Sequence, residues 1–140
     1  MSRNGVAIGL DVGVRRIGVA RGDFEVRIAT PLTMIPNDAT AFMAISQMAK
    51  DNHAKTIVVG LPRDAEGRET AQSKISRGFA DKLADFTEAD IVFQDESLTS
   101  VVAEDNIRTR KNFNESMLHD GTIDSEAAAI ILTDYLERKG

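Results

Sequence analysis

The order of its periodic segments is the feature that most constrains what this chain can fold into. Residues 6–12 alternate bulky and small side chains, which is the two-residue period of a β-strand. Residues 17–20 predict a hairpin partner, and residues 26–32 predict a third strand that is closed by Pro31 and Pro36. Because short turns separate these segments, they should form an antiparallel meander.

Helical and short apolar segments alternate along the rest of the chain. Residues 56–60 and 91–93 are short apolar runs, typical of buried parallel strands. Helices are expected after a cap at Asp38 or Thr40, and at about residues 70–85, 99–108 and 124–138. The sequence therefore predicts an α/β fold with a mixed five-stranded sheet, three antiparallel strands and then two parallel ones, and helices on both faces.

Composition restricts the class of protein. The 140 residues suit one domain spanning residues 1–140. The absence of cysteine excludes disulfides and thiolate metal sites and is typical of a reducing compartment. No segment has the pattern of a signal peptide or a membrane span, so we expect a cytoplasmic protein without a membrane partner. The net charge of −5 neither supports nor excludes nucleic-acid binding, because a local basic patch suffices for that.

Three carboxylates lie at the ends of predicted strands or at the start of a predicted helix, and Asp11 is the first of them. It closes the first strand on the face of Ala7 and Gly9, whose small side chains leave room for a ligand. A turn-forming role for Asp11 is the alternative. Asp95 and Glu96 close the last strand and point to opposite faces, so only one can share a face with Asp11. We choose Glu96, with Asp95 as its substitute; a solvated strand end or helix cap is the alternative.

Asp124 heads an apolar stripe that recurs at helical spacing. The stripe consists of Ala127, Ala128, Ile131, Leu132, Tyr135 and Leu136. Because this stripe should face the sheet, Asp124 is expected on the buried side, where a charge must be paired, protonated or metal-bound. The alternative is that Asp124 caps its own helix.

The three acids predict a common chemistry if the last helix packs over the first strand. Asp11, Glu96 and Asp124 would then repel one another unless cations lie between them. Ligand sets made only of oxygen select hard ions, here Mg²⁺ or Mn²⁺. Two such ions can activate water and stabilise the leaving oxygen in phosphodiester hydrolysis. The expected enzyme is thus a metal-dependent nuclease without a nucleophilic side chain.

Four sequence blocks resemble the YqgF (RuvX) family in the order that is typical of it. They are residues 9–20 (Gly-Leu-Asp-Val-Gly followed by Arg-Ile-Gly-Val-Ala), residues 59–67 (Val-Gly-Leu-Pro followed by Gly), residues 95–100 (Asp-Glu-Ser-Leu-Thr-Ser), and residues 123–132 (Ile-Asp-Ser followed by Ala-Ala and Ile-Leu). Two positions depart from the pattern, since Ser97 stands where the family usually has Arg, and Arg-Asp-Ala-Glu at 63–66 replaces apolar and Asn residues. Both departures border the expected site.

This resemblance implies a fold and an activity. The implied fold is ribonuclease-H-like, related to Holliday-junction resolvases, with Asp11, Glu96 and Asp124 as metal ligands. The implied role is nuclease maturation of the 5′ end of the small-subunit ribosomal RNA precursor, and junction resolution in DNA is the alternative. Partners would be precursor rRNA or branched DNA, with ribosomal particles as a further possibility, and the chain would be a monomer or homodimer.

Several further side chains are candidates for contact with nucleic acid. They are Arg15, Arg16, Arg63, Thr99, Arg108, Arg110 and Lys111. Cations at these positions could bind phosphates, and solvated turn charges or a basic helix end are the alternatives. Thr99 is expected to cap its helix, and a phosphate contact is its alternative. His119 is a candidate acid or base, and an idle surface histidine is its alternative.

Two other functional classes fit parts of the pattern. A non-catalytic nucleic-acid-binding module of the same fold would be favoured by loss of one of the three acids, and none is lost. An ATPase of the actin-like group shares an Asp-x-Gly hairpin, but its nucleotide lies between two such domains. Since 140 residues supply one such domain, we expect no ATP binding.

Overall fold

The computed structural model describes residues 5–97 and 99–139. Its strands are β1 (Val6–Val12), β2 (Arg16–Asp23), β3 (Ala29–Pro36), β4 (Ala54–Pro62) and β5 (Asp90–Glu96). Its helices are α1 (Ala41–Asp51), α2 (Ala71–Leu83), α3 (Thr99–Arg108) and α4 (Thr122–Lys139), with a 3₁₀ turn at Glu115–Leu118. Within these residues, no helix combines the length and the apolarity that crossing a bilayer requires.

The five strands form one mixed sheet in the order β3-β2-β1-β4-β5. β2 pairs antiparallel with β1 and β3, whereas β4 pairs parallel with β1 and β5. This arrangement confirms the predicted meander followed by two crossovers. The β1–β4 ladder ends at Leu10 and Val59, while the β4–β5 ladder continues to Pro62 and Glu96. The two central strands therefore separate at their carboxyl ends, and Asp11 lies where they separate.

Helices cover both faces of the sheet, as predicted. α1 and α2 pack against the bulky face of β1, β2 and β4, in a core whose largest members include Ile8, Leu10, Ile17, Ile45, Ile57 and Leu83. α4 packs against the small-residue face, where Ala7, Ala20 and Val58 contact Ala128, Leu132 and Leu136. Packing on both faces removes the apolar sides of these helices from water, which is the main favourable contribution to folding.

Small residues in the sheet let α4 approach it closely. A Cβ atom on Gly9 would lie 2.7 Å from the Cβ of Leu132, and one on Gly18 would lie 1.8 Å from the backbone oxygen of Asp124. A side chain at either position would therefore push the helix off the sheet. Because Gly18 is the register partner of Asp11 in β2, this contact places the first turn of α4 beside Asp11.

The third strand begins later than predicted. The Asp23 carboxylate accepts hydrogen bonds from the backbone N–H groups of Glu25 and Val26, and Arg27 has a φ of 64°. These contacts form a turn, so the strand starts at Ala29 and continues through Pro31. Proline is tolerated there because β3 is an edge strand, with no ladder to complete on its outer side.

Candidate active site

Asp11 lies at the carboxyl end of β1, facing α4. Its partner across the β1–β2 ladder is Gly18, over which the backbone of Asp124 passes. Burial, and to a lesser extent the nearby charge of Asp124, raise the pKa of Asp11 from 3.8 to about 6. The Asp124 carboxylate thus lies close enough to oppose the ionisation of Asp11.

Asp124 lies in the first turn of α4, as its third residue, and does not occupy the N-cap position. One of its carboxylate oxygens, Oδ2, is buried and accepts no hydrogen bond from residues 5–97 or 99–139. The Arg16 Nε lies 3.2 Å from that oxygen, so the pair is an ion pair without hydrogen-bond alignment. Buried carboxylate oxygens are normally satisfied, so this atom marks a place where a cation would fit.

Glu96 ends β5 and shares a cavity with Asp11. The cavity has a volume of about 200 Å³ and is lined by Asp11, Gly60, Pro62, Arg63, Glu96, Ser97, Thr99, Val101 and Ile131. The Glu96 carboxylate accepts hydrogen bonds from Thr99 Oγ1 at 2.7 Å and from Gln94 Nε2 at 3.3 Å. Burial, followed by a hydrogen bond with Asp134, raises the pKa of Glu96 from 4.5 to about 7.

The three predicted acids are therefore linked through Asp11. Asp11 interacts with Asp124 on one side and faces the cavity of Glu96 on the other. Over residues 5–97 and 99–139, no three Asp, Glu, His or Cys side chains approach closely enough to hold one ion together. The carboxylate of Glu96 instead interacts with Thr99 and Asp134. The donor set is nonetheless all oxygen, which suits Mg²⁺ or Mn²⁺, and among the described residues the Asp124 Oδ2 atom is balanced by the Arg16 ion pair without a hydrogen bond.

The structure does not bring Asp95 to this cavity as the substitute for Glu96. Successive residues of β5 point to opposite faces, and the Asp95 Oδ1 accepts hydrogen bonds from Arg63 Nε at 3.1 Å and Nη2 at 3.0 Å. Arg63 lines the cavity, so its guanidinium links the cavity wall to the outer carboxylate.

The remaining candidates are distributed over the surface around the acids. Arg15 is exposed and makes no ion pair with any described residue, while Arg16 pairs with Asp124. Arg108 pairs with Glu104 and Arg110 with Glu126, at 2.9 Å and 2.8 Å, and Lys111 is exposed. The group at 108–111 is therefore partly neutralised by its own neighbours.

Thr99 lies inside its helix and does not cap it, whereas the His119 side chain lies on the surface. The Thr99 hydroxyl donates to Glu96, and Thr99 is the first residue of α3. His119 is exposed at the end of the 3₁₀ turn, and its backbone carbonyl accepts a hydrogen bond from Arg16 Nη1 at 3.2 Å. The bond from Arg16 therefore ties the segment before α4 to the hairpin that carries Asp11.

Sequence reasoning missed Gln94 and Asp134. Gln94 is buried on the same face as Glu96, two residues before it, so strand alternation alone could have identified it. Asp134 lies outside the apolar stripe of α4 and carries no motif, so no sequence signal pointed to it. Contact between this carboxylate and Glu96 depends on how α4 crosses the sheet.

Comparison with known proteins identifies the family of this chain. The model of a family described as "RuvX: Holliday junction resolvase" matches residues 5–138. The chain belongs to the RuvX family. Among RuvX relatives named "Putative pre-16S rRNA nuclease", that of Gloeothece citriformis is 38% identical over 137 residues, covering 95% of this chain and 88% of its own. That of Chloroflexus aggregans is 40% identical over 134 residues, covering 94% and 93%.

Solved structures share the fold of this RuvX-family chain. RuvC of T. thermophilus, in complex with a Holliday junction substrate, has a TM-score of 0.56 at 14% identity, covering 96% of this chain and 95% of its own. The Holliday junction resolvase of fowlpox virus has a TM-score of 0.56 at 11% identity, covering 95% and 99%. These likenesses confirm the predicted ribonuclease-H-like α/β fold.

Removing the arginine beside Asp124 should lower the folding stability of this RuvX-family protein when no metal is present. In Arg16→Gln, the buried Asp124 oxygen loses the one cation that pairs with it among the described residues, so we expect a loss of about 1 kcal/mol in the free energy of unfolding in EDTA. The loss should shrink when Mn²⁺ is added, since the ion then supplies the missing charge. Urea denaturation with EDTA and with Mn²⁺ measures the free energy of unfolding in the two conditions. Arg15→Gln is the matched control and should leave the free energy of unfolding unchanged in EDTA and in Mn²⁺. An equal effect of the two substitutions would contradict the role of the ion pair.

Metal binding should depend on pH well above the usual range of carboxylates. An ion binds the deprotonated groups, and the pKa values of Asp11 and Glu96 are raised to about 6 and about 7. Mn²⁺ affinity should therefore increase from about pH 5.5 to about pH 8, by tenfold or more. Calorimetric titration with Mn²⁺ across this range provides the test. An affinity already constant above about pH 5 would show that these two carboxyls do not bind the ion.

Proposed function

We propose that this RuvX-family chain is a hydrolase that cleaves phosphodiester bonds of nucleic acid with a divalent ion. The ligands would be Asp11 and Asp124, with Glu96 across the cavity. The observation that carries the proposal is the buried Asp124 oxygen, which no described residue reaches with a hydrogen bond, adjacent to a second buried carboxylate with a raised pKa. A purely structural pair of this kind would be destabilising, whereas a cation between the two would remove the repulsion.

The chain's own residues would organise the reaction around that pair. When bound, Mg²⁺ or Mn²⁺ activates water and stabilises the leaving oxygen. Arg63 and Thr99 line the cavity beside Glu96 and can bind non-bridging phosphate oxygens. Arg15 lies in a neighbouring cleft with Arg16 and Asp124, where its free guanidinium can contact an adjacent phosphate. The Glu96 carboxylate, which accepts hydrogen bonds from Thr99 and Gln94, can supply a further oxygen ligand from across the cavity when it is deprotonated.

We infer that the substrate is precursor ribosomal RNA, cut in maturation of the 5′ end of 16S rRNA. Two relatives named for that activity are 38% and 40% identical in sequence to this chain, which supports this choice. The reaction would take place in the cytoplasm, on the precursor alone or in ribosomal particles, with the protein as monomer or homodimer. Cleavage of four-way DNA junctions is the second candidate, which the family description favours.

One assay separates these functions. The purified protein should be incubated with precursor 16S rRNA and with a four-way DNA junction, each with Mg²⁺, with Mn²⁺ and with EDTA. We expect rRNA cleavage with either ion and none in EDTA. Cleavage that persists in EDTA would contradict the metal mechanism, and cleavage of the junction alone would favour the second candidate. Tight binding without cleavage of either substrate would indicate a binding module.

A further inference from the structure

The backbone that follows Asp11 is held by a side chain from the opposite face of the sheet. β1 pairs with β4 only as far as Leu10, so the end of β1 has no ladder on that side. Gln72, in the first turn of α2, donates a hydrogen bond from Nε2 to the backbone oxygen of Val12. Gln72 therefore replaces the missing ladder bond directly after Asp11.

A second amide holds the same turn from the other side. Asn37 Nδ2 donates to the backbone oxygen of Gly13 at 2.7 Å, and its backbone N–H donates to the oxygen of Arg15 at 2.9 Å. Gly13 in turn donates to the backbone oxygen of Arg16 at 2.8 Å. Two side-chain amides thus fix the turn at 12–16. Because Asp11 directly precedes this turn, the turn also fixes the position of Asp11.

The first turn of α2 is itself anchored to the opposite wall of the cavity. Thr70 and Ser73 form a reciprocal capping box, which sets the start of the helix. The Thr70 hydroxyl donates to the backbone oxygen of Pro62 at 3.3 Å, at the end of β4. One helix turn therefore connects the ends of β1 and β4 where they separate. The spacing between Asp11 and the cavity wall at Pro62 depends on this connection.

We propose that Gln72 and Asn37 are positioning residues that hold the turn at 12–16 so that Asp11 faces Asp124 at the distance a divalent ion requires. The inference rests on the proposed function for the identity of the ion, but not for the geometry. Partners that orient a metal ligand commonly change affinity or activity by about 10–100-fold when they are removed. A donor that only satisfied a backbone carbonyl would affect stability alone.

The test measures Mn²⁺ affinity by electron paramagnetic resonance, together with kcat and KM. Gln72→Met keeps the length of the side chain but cannot donate, and we expect Mn²⁺ affinity and kcat to fall about tenfold with KM for nucleic acid unchanged. Asn37→Leu removes the donor on the other side and should show the same pattern. Gln72→Lys restores a donor and should recover most of the loss. Gln47→Met is the matched control, because Gln47 donates to Asp51 on the exposed side of α1.

The outcomes separate this inference from the proposed function. If wild type binds Mn²⁺ and Gln72→Met binds it equally well with unchanged kcat, the positioning role is wrong and the nuclease proposal stands. If affinity falls as expected but wild type cleaves neither nucleic acid, the positioning role stands and the nuclease proposal is wrong. If wild type does not bind Mn²⁺, both are wrong. Asn37→Leu and Gln72→Lys decide the question should Gln72→Met fail to fold.

Discussion

Asp11→Asn is expected to abolish metal-dependent cleavage and, at the same time, to stabilise the metal-free protein. Asp11 links the other two acids, so its loss should lower activity by at least about a hundredfold, beyond the effect of removing an orienting partner. The same substitution removes a buried charge that opposes the charge of Asp124. A residue that serves the ion at the expense of stability should show both effects together.

The sign of the stability effect follows from the direction of the pKa shift. The pKa of Asp11 is raised from 3.8 to about 6, so the folded state binds the proton more tightly than the unfolded state. The protonated group's contribution to stability is complete below about pH 4 and is lost as pH rises through about 6. At pH 7, Asp11→Asn should therefore gain roughly 1–3 kcal/mol, since a shift of this size is worth at most about 3 kcal/mol before allowance for partial exposure.

Urea denaturation in EDTA at about pH 4 and pH 7, together with the cleavage assay, measures these effects. The stability difference should be present at pH 7 and absent near pH 4. Asp85→Asn, an exposed carboxylate after α2, is the matched control and should change neither quantity. Wild-type cleavage by Asp11→Asn, or a stability gain that does not depend on pH, would contradict the assigned role.

Gly18→Ala should have the largest effect on stability. The added Cβ atom would lie 1.8 Å from the backbone oxygen of Asp124 and 2.9 Å from the backbone nitrogen of Ser125. Both contacts are with backbone, so no side-chain rotation can relieve them, and the start of α4 must move. We expect a loss of about 3 kcal/mol or more in the free energy of unfolding. Cleavage should also be lost, because Asp124 would move away from Asp11.

Gly78→Ala provides the control for this substitution. Gly78 lies within α2, and a Cβ atom there meets no atom of the described residues within 4 Å. Replacing a helical glycine by alanine should add up to about 1 kcal/mol of stability. Thermal unfolding of both variants gives the comparison, and a crystal structure of Gly18→Ala would show whether α4 has shifted. Equal stability of the two variants would mean that α4 does not pack on Gly18 as described.

Local sequence patterns were sufficient for much of the candidate site. The alternation in residues 6–12 placed Asp11 on the small-residue face, because side chains of a strand alternate whatever the rest of the chain does. The apolar stripe that follows Asp124 placed it toward the sheet for the equivalent helical reason, and Ala127 and Leu132 are fully buried. The start of β3 was predicted wrongly because the hydrogen bonds of Asp23 convert an apolar segment into a turn.

By itself, the sequence determined the order of strands and helices, the sheet face on which Asp11 lies and the family to which the chain belongs. These depend on periodicity and on motifs, both of which are properties of neighbouring residues. Only the tertiary structure decided that Glu96 rather than Asp95 faces the cavity, that Arg16 pairs with Asp124, and that Gln72 holds the turn after Asp11. Those contacts join residues that lie far apart along the chain. They arise from how closely α2 and α4 pack on the sheet, and no local pattern encodes that distance.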